Sequence, residues 1–332
     1  MSSSSPLGTF VTILLAWLAG LAGPPNHPRA PRVRHTQTVA ARAPAHAPFA
    51  VGIRTIRFVD TSRTVRFPGG KPRPRALVTV IRYPAQGPLS HVDVRGAAPA
   101  SGARPFPLVI FGHGFAVTPG PYSRLLEAWA RAGYVVAAPV FPLGNANAPG
   151  GPNESDVVNQ PRDMSFVITR MLALNADRRS MFWRLLDSRE VAVSGQSDGG
   201  ETALAVAYDR YYLDRRVRAA VILSGAELPG VGGFTFPAPS PPLLASQGTA
   251  DTINRPIFTY QFFNLAPRPK FLLRLLGAAH LPPYTDQQPQ LGIVERVTIA
   301  FLNRYLKDGR GQLTALTRAG DVPGLAALSA DP

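Results

Sequence analysis

A serine hydroxyl is a weak nucleophile at neutral pH and reacts usefully only beside a general base that an acid holds in place. One serine of this chain has the local sequence for that role. Ser197 lies in Val191-Ala-Val-Ser-Gly195-Gln-Ser197-Asp-Gly199-Gly200. An apolar, β-branched run leads into Gly195, and a helix-compatible run follows from Glu201 to Tyr208. G-x-S-x-G between a strand and a helix is the setting of a nucleophile elbow. The turn is so tight that the serine must take a strained backbone conformation, and only glycine at its flanks lets strand and helix close.

Six histidines are candidates for the base. His27, His35 and His46 fall in a Pro-rich stretch, and His91 follows no apolar strand. His113 precedes the serine, in the loop after a short apolar strand, and reads as a packing residue. His280 follows the apolar run Phe271–Leu276 through Gly277-Ala-Ala and is the only histidine downstream of Ser197. A loop at a strand's C-terminal end is where an open α/β sheet places its chemistry, so His280 is the expected base. The acid should fall between the two in chain order. Asp251, just past Leu243–Ser246, is favoured; Glu227, just past the preceding strand, is the rival. Asp209 and Asp214 sit in helical or turn contexts, and Asp286 comes after the histidine. Donors for a developing oxyanion are expected from the backbone N–H of Asp198, at the helix start, and from Phe115 in Phe111-Gly-His-Gly-Phe115, with Gly114 as the fallback.

The elements that must position these residues alternate. Val51–Val59 and Ala76–Tyr83 read as strands joined by the turn Phe67–Pro74, with no helix between, so that edge is expected to be antiparallel. Leu108–Phe111 (strand), Tyr122–Ala132 (helix), Tyr134–Ala138 (strand) and Asp156–Leu174 (helix) follow, with a Gly/Pro/Asn-rich loop over Pro142–Asn153. Then come the strand Glu190–Ser194, the helix from Thr202, the strands Val217–Leu223 and Leu243–Ser246, the helix Pro256–Leu265, the strand Lys270–Leu276 and the helix Leu291–Leu306. This order predicts an α/β fold with a mainly parallel sheet and helices on both faces. The Gly225–Pro242 connection is too short for a full cap domain. Phe115, Phe234, Phe236 and Tyr284 are candidates for the cleft lining, with packing as the equal alternative for aromatics in such loops.

With 45% apolar residues and 17% charged ones, the chain can bury a large core. It has no cysteine, which excludes disulfides, thiolate metal sites and cysteine nucleophiles. The formal net charge is +15, but only three of the 35 basic residues are lysines, and the arginines are scattered among Ala, Pro and Gly. No aromatic-interleaved basic stripe is present, so no nucleic-acid partner is expected; a basic surface can still attract anionic lipid, in a peripheral membrane contact, or an acidic polymer. Phe10–Gly23 is continuously apolar, short for a spanning helix and suited to an export signal or an anchor, so the protein is expected to be secreted or held outside the cytoplasm. Residues 1–23 therefore read as signal peptide or anchor, 24–48 as a Pro/Ala/Arg-rich linker, 49–308 as the catalytic domain and 309–332 as a tail, either an extra helix or disordered.

Taken together, the strand-loop Leu108–Phe115, the run Tyr122–Val136, the elbow Gly195–Gly200, Gly248-Thr-Ala-Asp251 and Gly277-Ala-Ala-His280 resemble the α/β-hydrolase superfamily. The chain looks most like its small lidless esterases: cutinase-like polyester hydrolases, platelet-activating-factor acetylhydrolases and chlorophyllase-like proteins. Gln196 and Asp198 stand where polyester hydrolases commonly carry an aromatic residue or histidine and a methionine. The resemblance implies a serine hydrolase of carboxylic esters, lipid or polyester among them, with Ser197, His280 and Asp251 as triad and no metal or cofactor. Two other uses of the scaffold stay open: an acyltransferase or amidase with the same triad, and a non-catalytic secreted binding protein.

Overall fold

The computed structural model describes residues 48–90, 92–101, 104–226, 231, 235–307, 309 and 312–332. The apolar N-terminal segment, the linker up to residue 47, His91, Glu227 and Phe234 lie outside the described residues. Among the described residues, no helix is long and apolar enough to cross a membrane.

Ten strands form one sheet. A long hairpin, β1 (Ala50–Val65) and β2 (Arg73–Ala85), opens the chain, and β3 (Val94–Arg95) is a two-residue strand at its edge. The next elements are β4 (Phe106–Gly112), α1 (Ser123–Arg131), β5 (Val135–Val140), a 3-10 turn at Glu154–Asn159, α2 (Gln160–Ala176), β6 (Leu186–Gln196) and α3 (Asp198–Tyr208). After them come β7 (Val217–Leu223), β8 (Leu243–Gly248), α4 (Pro256–Leu265), β9 (Lys270–Leu275), α5 (Gln290–Leu306), α6 (Gln312–Gly320) and β10 (Ala326–Asp331). The strand order is β10-β9-β8-β7-β6-β4-β5-β2-β1-β3. From β5 through β4, β6, β7 and β8 to β9 all pairings are parallel. β2 runs antiparallel to both β1 and β5, as the helix-free connection requires.

Alternation along each central strand explains the layers. Leu108 and Ile110 of β4 face one core with Met164, Val167, Ile168 and Leu204, beneath α2 and α3. Val109 and Phe111 face the other, with Leu125, Trp129, Val294 and Phe301, beneath α1 and α5. Successive side chains of a strand point to opposite faces, so an all-apolar run such as Phe106–Phe111 can be buried only between two helical layers. α1 shows the matching helical stripe: Leu125, Leu126, Trp129 and Ala130 are buried. Its Trp129 indole N–H also donates to Thr298 Oγ1 of α5 at 2.8 Å.

The segment 309–332 is not a separate tail. After α6, β10 pairs antiparallel with β9 over six residues and forms the sheet's other edge, so the compact unit runs to Pro332. Ladder hydrogen bonds to β9 override the weak strand propensity of Ala-Ala-Leu-Ser-Ala-Asp.

Candidate active site

The site lies at the C-terminal ends of four parallel strands, in two adjacent pairs with β7 between them. Ser197 follows β6, the turn around Phe115 follows β4, Asp251 follows β8 and His280 follows β9. β4 and β6 are in register so that Gly112 lies opposite Gly195, which sets the Phe115 turn beside the serine.

At Ser197 the backbone has φ 56° and ψ −126°, a region non-glycine residues rarely occupy. Such a conformation costs on the order of 1–3 kcal/mol and persists where the surroundings dictate it. Here they do. The Ser197 N–H donates to Leu223 O at 3.0 Å, and its carbonyl accepts the first helical bond from Glu201 N at 2.9 Å. Gly195 and Gly199 make the turn possible. A Cβ on Gly195 would fall onto the carbonyl of Gly199, and one on Gly199 onto the carbonyl of Gly112.

His280 and Asp251 are joined. His280 Nδ1 lies 2.7 Å from Asp251 Oδ2. The carboxylate is buried and surrounded by donors: Ile253 N and Asn254 N reach Oδ1 at 2.9 Å each, and Gln247 Nε2 reaches Oδ2 at 3.2 Å. Burial pushes the pKa of Asp251 up, but the hydrogen bond and charge of His280, with the Ile253 and Gln247 bonds, outweigh it and hold the group below its ordinary value. An ionised Asp251 can only accept, so Nδ1 carries the imidazole proton and Nε2 the lone pair.

That lone pair is not on the serine. Among the described residues, no hydrogen bond joins Ser197 Oγ to His280. Gln196 Nε2 approaches His280 Nε2 at 3.1 Å and donates to the His280 carbonyl, also at 3.1 Å. Its Oε1 accepts from the Tyr122 hydroxyl at 2.7 Å, and the Tyr122 oxygen accepts from Gly114 N at 3.3 Å. Sequence reasoning missed Gln196 and Tyr122. The one signal was that Gln196 occupies the variable position of the elbow, where a side chain emerges next to the nucleophile.

The expected oxyanion donors are placed as follows. In the turn after β4, Gly114 N is taken by Tyr122 and Ala116 N by Gly144 O, whereas Phe115 N has no protein acceptor among the described residues. Gly114, the fallback donor, is thus already engaged. The Asp198 N–H stands at the start of α3, and the residue's own side chain is buried there. Burial raises the Asp198 pKa to about 6; the negative charge of Glu154 adds to the rise and His280 opposes it. Its Oδ2 is buried without a hydrogen-bond partner.

His113 is a structural residue, as its sequence context implies. Phe141 N donates to its Nε2 at 3.0 Å, and Nδ1 bonds Gly114 O at 2.8 Å. Burial pushes its pKa down to about 4, so the ring is neutral. Its job is to tie the Phe115 turn to the loop after β5. The candidate aromatic lining is only partly met. Phe115 is half-buried beside the serine, but Tyr284 is fully buried, its hydroxyl within 3.0 Å of Ser224 Oγ, and Phe236 packs on Tyr208 with ring centres 4.9 Å apart. Tyr284 therefore belongs to the core, and Phe236, half-buried, packs against core residues. A cavity of about 570 Å³ between Arg66–Gly70 and the loop Gly150–Asn153, and another of about 270 Å³ near Met181, contain no triad residue. Among the described residues, no group of three or more His, Asp or Glu is arranged to hold a metal ion.

Residues 97–225, less than half of the chain, match the family model described as Chlorophyllase. That segment includes Phe115, Ser197 and Asp198 and ends before Asp251. A solved ferulic acid esterase from Streptomyces cinnamoneus superposes with a TM-score of 0.58 at 22% identity, covering 80% of this chain and 93% of that one. The chain has the α/β-hydrolase fold. No curated protein sequence matches it significantly. The hydrolase fold accounts for the mixed sheet and for the placing of the serine, aspartate and histidine loops along one rim.

Proposed function

We propose that this α/β-hydrolase cleaves carboxylic esters through an acyl-enzyme on Ser197. The observation that carries the reading is the strained serine at the elbow with the His280–Asp251 pair, 2.7 Å apart, on the same rim of the sheet. In the attack, His280 Nε2 takes the Ser197 proton while Oγ bonds to the ester carbon; Asp251 keeps the other ring proton on Nδ1 and stabilises the imidazolium. The carbonyl oxygen becomes negative and is held by the N–H groups of Phe115 and Asp198. Collapse expels the alcohol, which leaves with the proton from Nε2. Water, deprotonated by the same nitrogen, then releases the acid and frees the serine. The match to the Chlorophyllase model and the likeness to a ferulic acid esterase support ester cleavage over a pure binding role.

Spectrophotometric turnover of p-nitrophenyl acetate and butyrate, with labelling by a fluorophosphonate, tests the proposal. Ser197→Ala should lose turnover by several orders of magnitude and all labelling while its melting temperature stays close to the parent's. Equal turnover in that variant would refute the assignment. Acyl-chain profiling, with methyl ferulate included, then separates aliphatic from aromatic acyl preference.

A further inference from the structure

Gln196 is buried, and its amide has partners on both sides. The direction of the amide follows from them. The His280 carbonyl can only accept, so the group that faces it at 3.1 Å is the NH2. The Tyr122 hydroxyl, whose oxygen already accepts Gly114 N–H, gives its hydrogen to Oε1 at 2.7 Å. One amide hydrogen thus goes to the His280 carbonyl, and the other points at Nε2, 3.1 Å away. Asp251 secures Nδ1 from the opposite side at 2.7 Å. The imidazole is clamped at both nitrogens.

We propose that Gln196, oriented by Tyr122, is a positioning residue that latches His280 as a neutral base and must release Nε2 before Ser197 can use it. The inference rests on the esterase reading above. A donor on Nε2 matches only the neutral ring: an imidazolium would set its Nε2–H against the amide hydrogens. The latch therefore opposes protonation of the base by solvent. During attack the Ser197 hydroxyl takes over the lone pair, and the amide hydrogen turns away as the proton arrives. The other titratable groups facing His280 are Asp251, on Nδ1, and Asp198, whose charge acts across the serine. Glu154 reaches the ring only through its effect on Asp198, and Tyr122, kept protonated by burial, only through Gln196.

The test is kcat/KM for p-nitrophenyl butyrate against pH in the full chain, for the parent, Gln196→Met, Gln196→Glu and Tyr122→Phe. Methionine keeps the shape and removes the donor; glutamate replaces it with an acceptor that favours the imidazolium. The acid limb should rise by roughly half a pH unit in Gln196→Met and by about one unit or more in Gln196→Glu. Tyr122→Phe, which frees the amide to rotate, should shift it in the same direction by less. Plateau kcat should fall more than KM changes in Gln196→Met. Acid limbs that superimpose on the parent's in the folded variants overturn the proposal; a purely structural glutamine would lower the melting temperature and leave the limb where it is. Should Gln196→Glu fail to fold, Gln196→Met and Tyr122→Phe decide. If the parent hydrolyses no ester and takes no fluorophosphonate label, the esterase reading fails. The latch is then read by NMR titration of His280 in the parent and Gln196→Met: a higher midpoint in the variant supports it, and an unchanged one overturns it.

Discussion

Changing Asp251 to asparagine alters one atom of the carboxyl group and, by the geometry around it, should alter the tautomer of the base. The carboxylate accepts four hydrogen bonds: Ile253 N and Asn254 N on Oδ1, His280 Nδ1 and Gln247 Nε2 on Oδ2. Asparagine offers one acceptor oxygen and one donor NH2. Placing the NH2 on the Oδ1 side sets it against two fixed backbone donors. Placing it on the Oδ2 side sets it against Gln247, whose amide is held by Thr259, Gly248 and Asn254, and against His280. Only the imidazole can relieve the conflict, by moving its proton from Nδ1 to Nε2. The ring then has no lone pair toward Ser197. In triad hydrolases this loss of the working tautomer costs about 10⁴ in kcat, or about 5 kcal/mol of barrier at 1.36 kcal/mol per tenfold. The fold should be little affected, because Gln247 Nε2 keeps its bonds to Gly248 O and Asn254 O. The assay is kcat for p-nitrophenyl butyrate at pH 7.5, with thermal melting in parallel and Glu227→Gln as the comparison. A kcat within tenfold of the parent's in a folded Asp251→Asn variant would refute the argument, and collapse in Glu227→Gln instead would transfer the role to that residue.

Three other perturbations have definite signs. Gly199→Ala drives a Cβ into the backbone carbonyl of Gly112 and should destabilise the fold by about 3 kcal/mol, read as a drop in urea midpoint; an unchanged midpoint would mean that the elbow can widen. His113, buried and neutral with its pKa pushed down to about 4 against 6.5 unfolded, gives stability that is complete above pH 6.5 and is lost as pH falls toward 4. The parent-minus-His113→Gln stability difference should shrink by about 3 kcal/mol over that window, and a pH-independent difference would contradict the neutral ring. Asp198 has the opposite sign: its raised folded pKa, about 6 against 3.8, means that ionisation penalises the fold above pH 6. Asp198→Asn should therefore be more stable than the parent at pH 8, by on the order of 2–3 kcal/mol, with the gain fading as pH falls from 6 toward 3.8. Denaturant melts at pH 4, 6 and 8 measure it, and equal parent and variant stability at pH 8 would count against the buried charge.

Much of the fold was legible in the sequence because its central strands are buried on both faces. Val217–Leu223 has the bounds its pattern implies, since an apolar run broken only by Arg218 between turn signals leaves few other options. The elbow was legible for a different reason: two close backbone approaches exclude every side chain, so Gly195 and Gly199 mark them. β10 was not legible. Its residues have little strand preference, and only pairing with β9, remote in sequence beyond α5 and α6, makes it a strand. Between lining and packing, the two readings open for the loop aromatics, local sequence cannot choose, because burial there is set by tertiary neighbours. Tyr284 sends its hydroxyl to two buried serines beneath the rim, Ser224 and Ser246.

The two residues that depart from the polyester-hydrolase pattern, Gln196 and Asp198, are the two whose side chains occupy the working positions of the site. In the proposed mechanism Gln196 occupies the lone pair that must receive the serine proton, and Asp198 carries a buried carboxylate on the residue whose N–H is to hold the oxyanion. Both groups are supplied by the elbow itself, one residue to either side of the nucleophile, so no separate lid is required to hold the site in this resting arrangement. In that mechanism a substrate must displace the Gln196 contact on His280 before the reaction geometry forms. Contacts that do so raise kcat only to the extent that they strengthen as the tetrahedral centre forms, so displacement has to be driven by the serine proton arriving at His280.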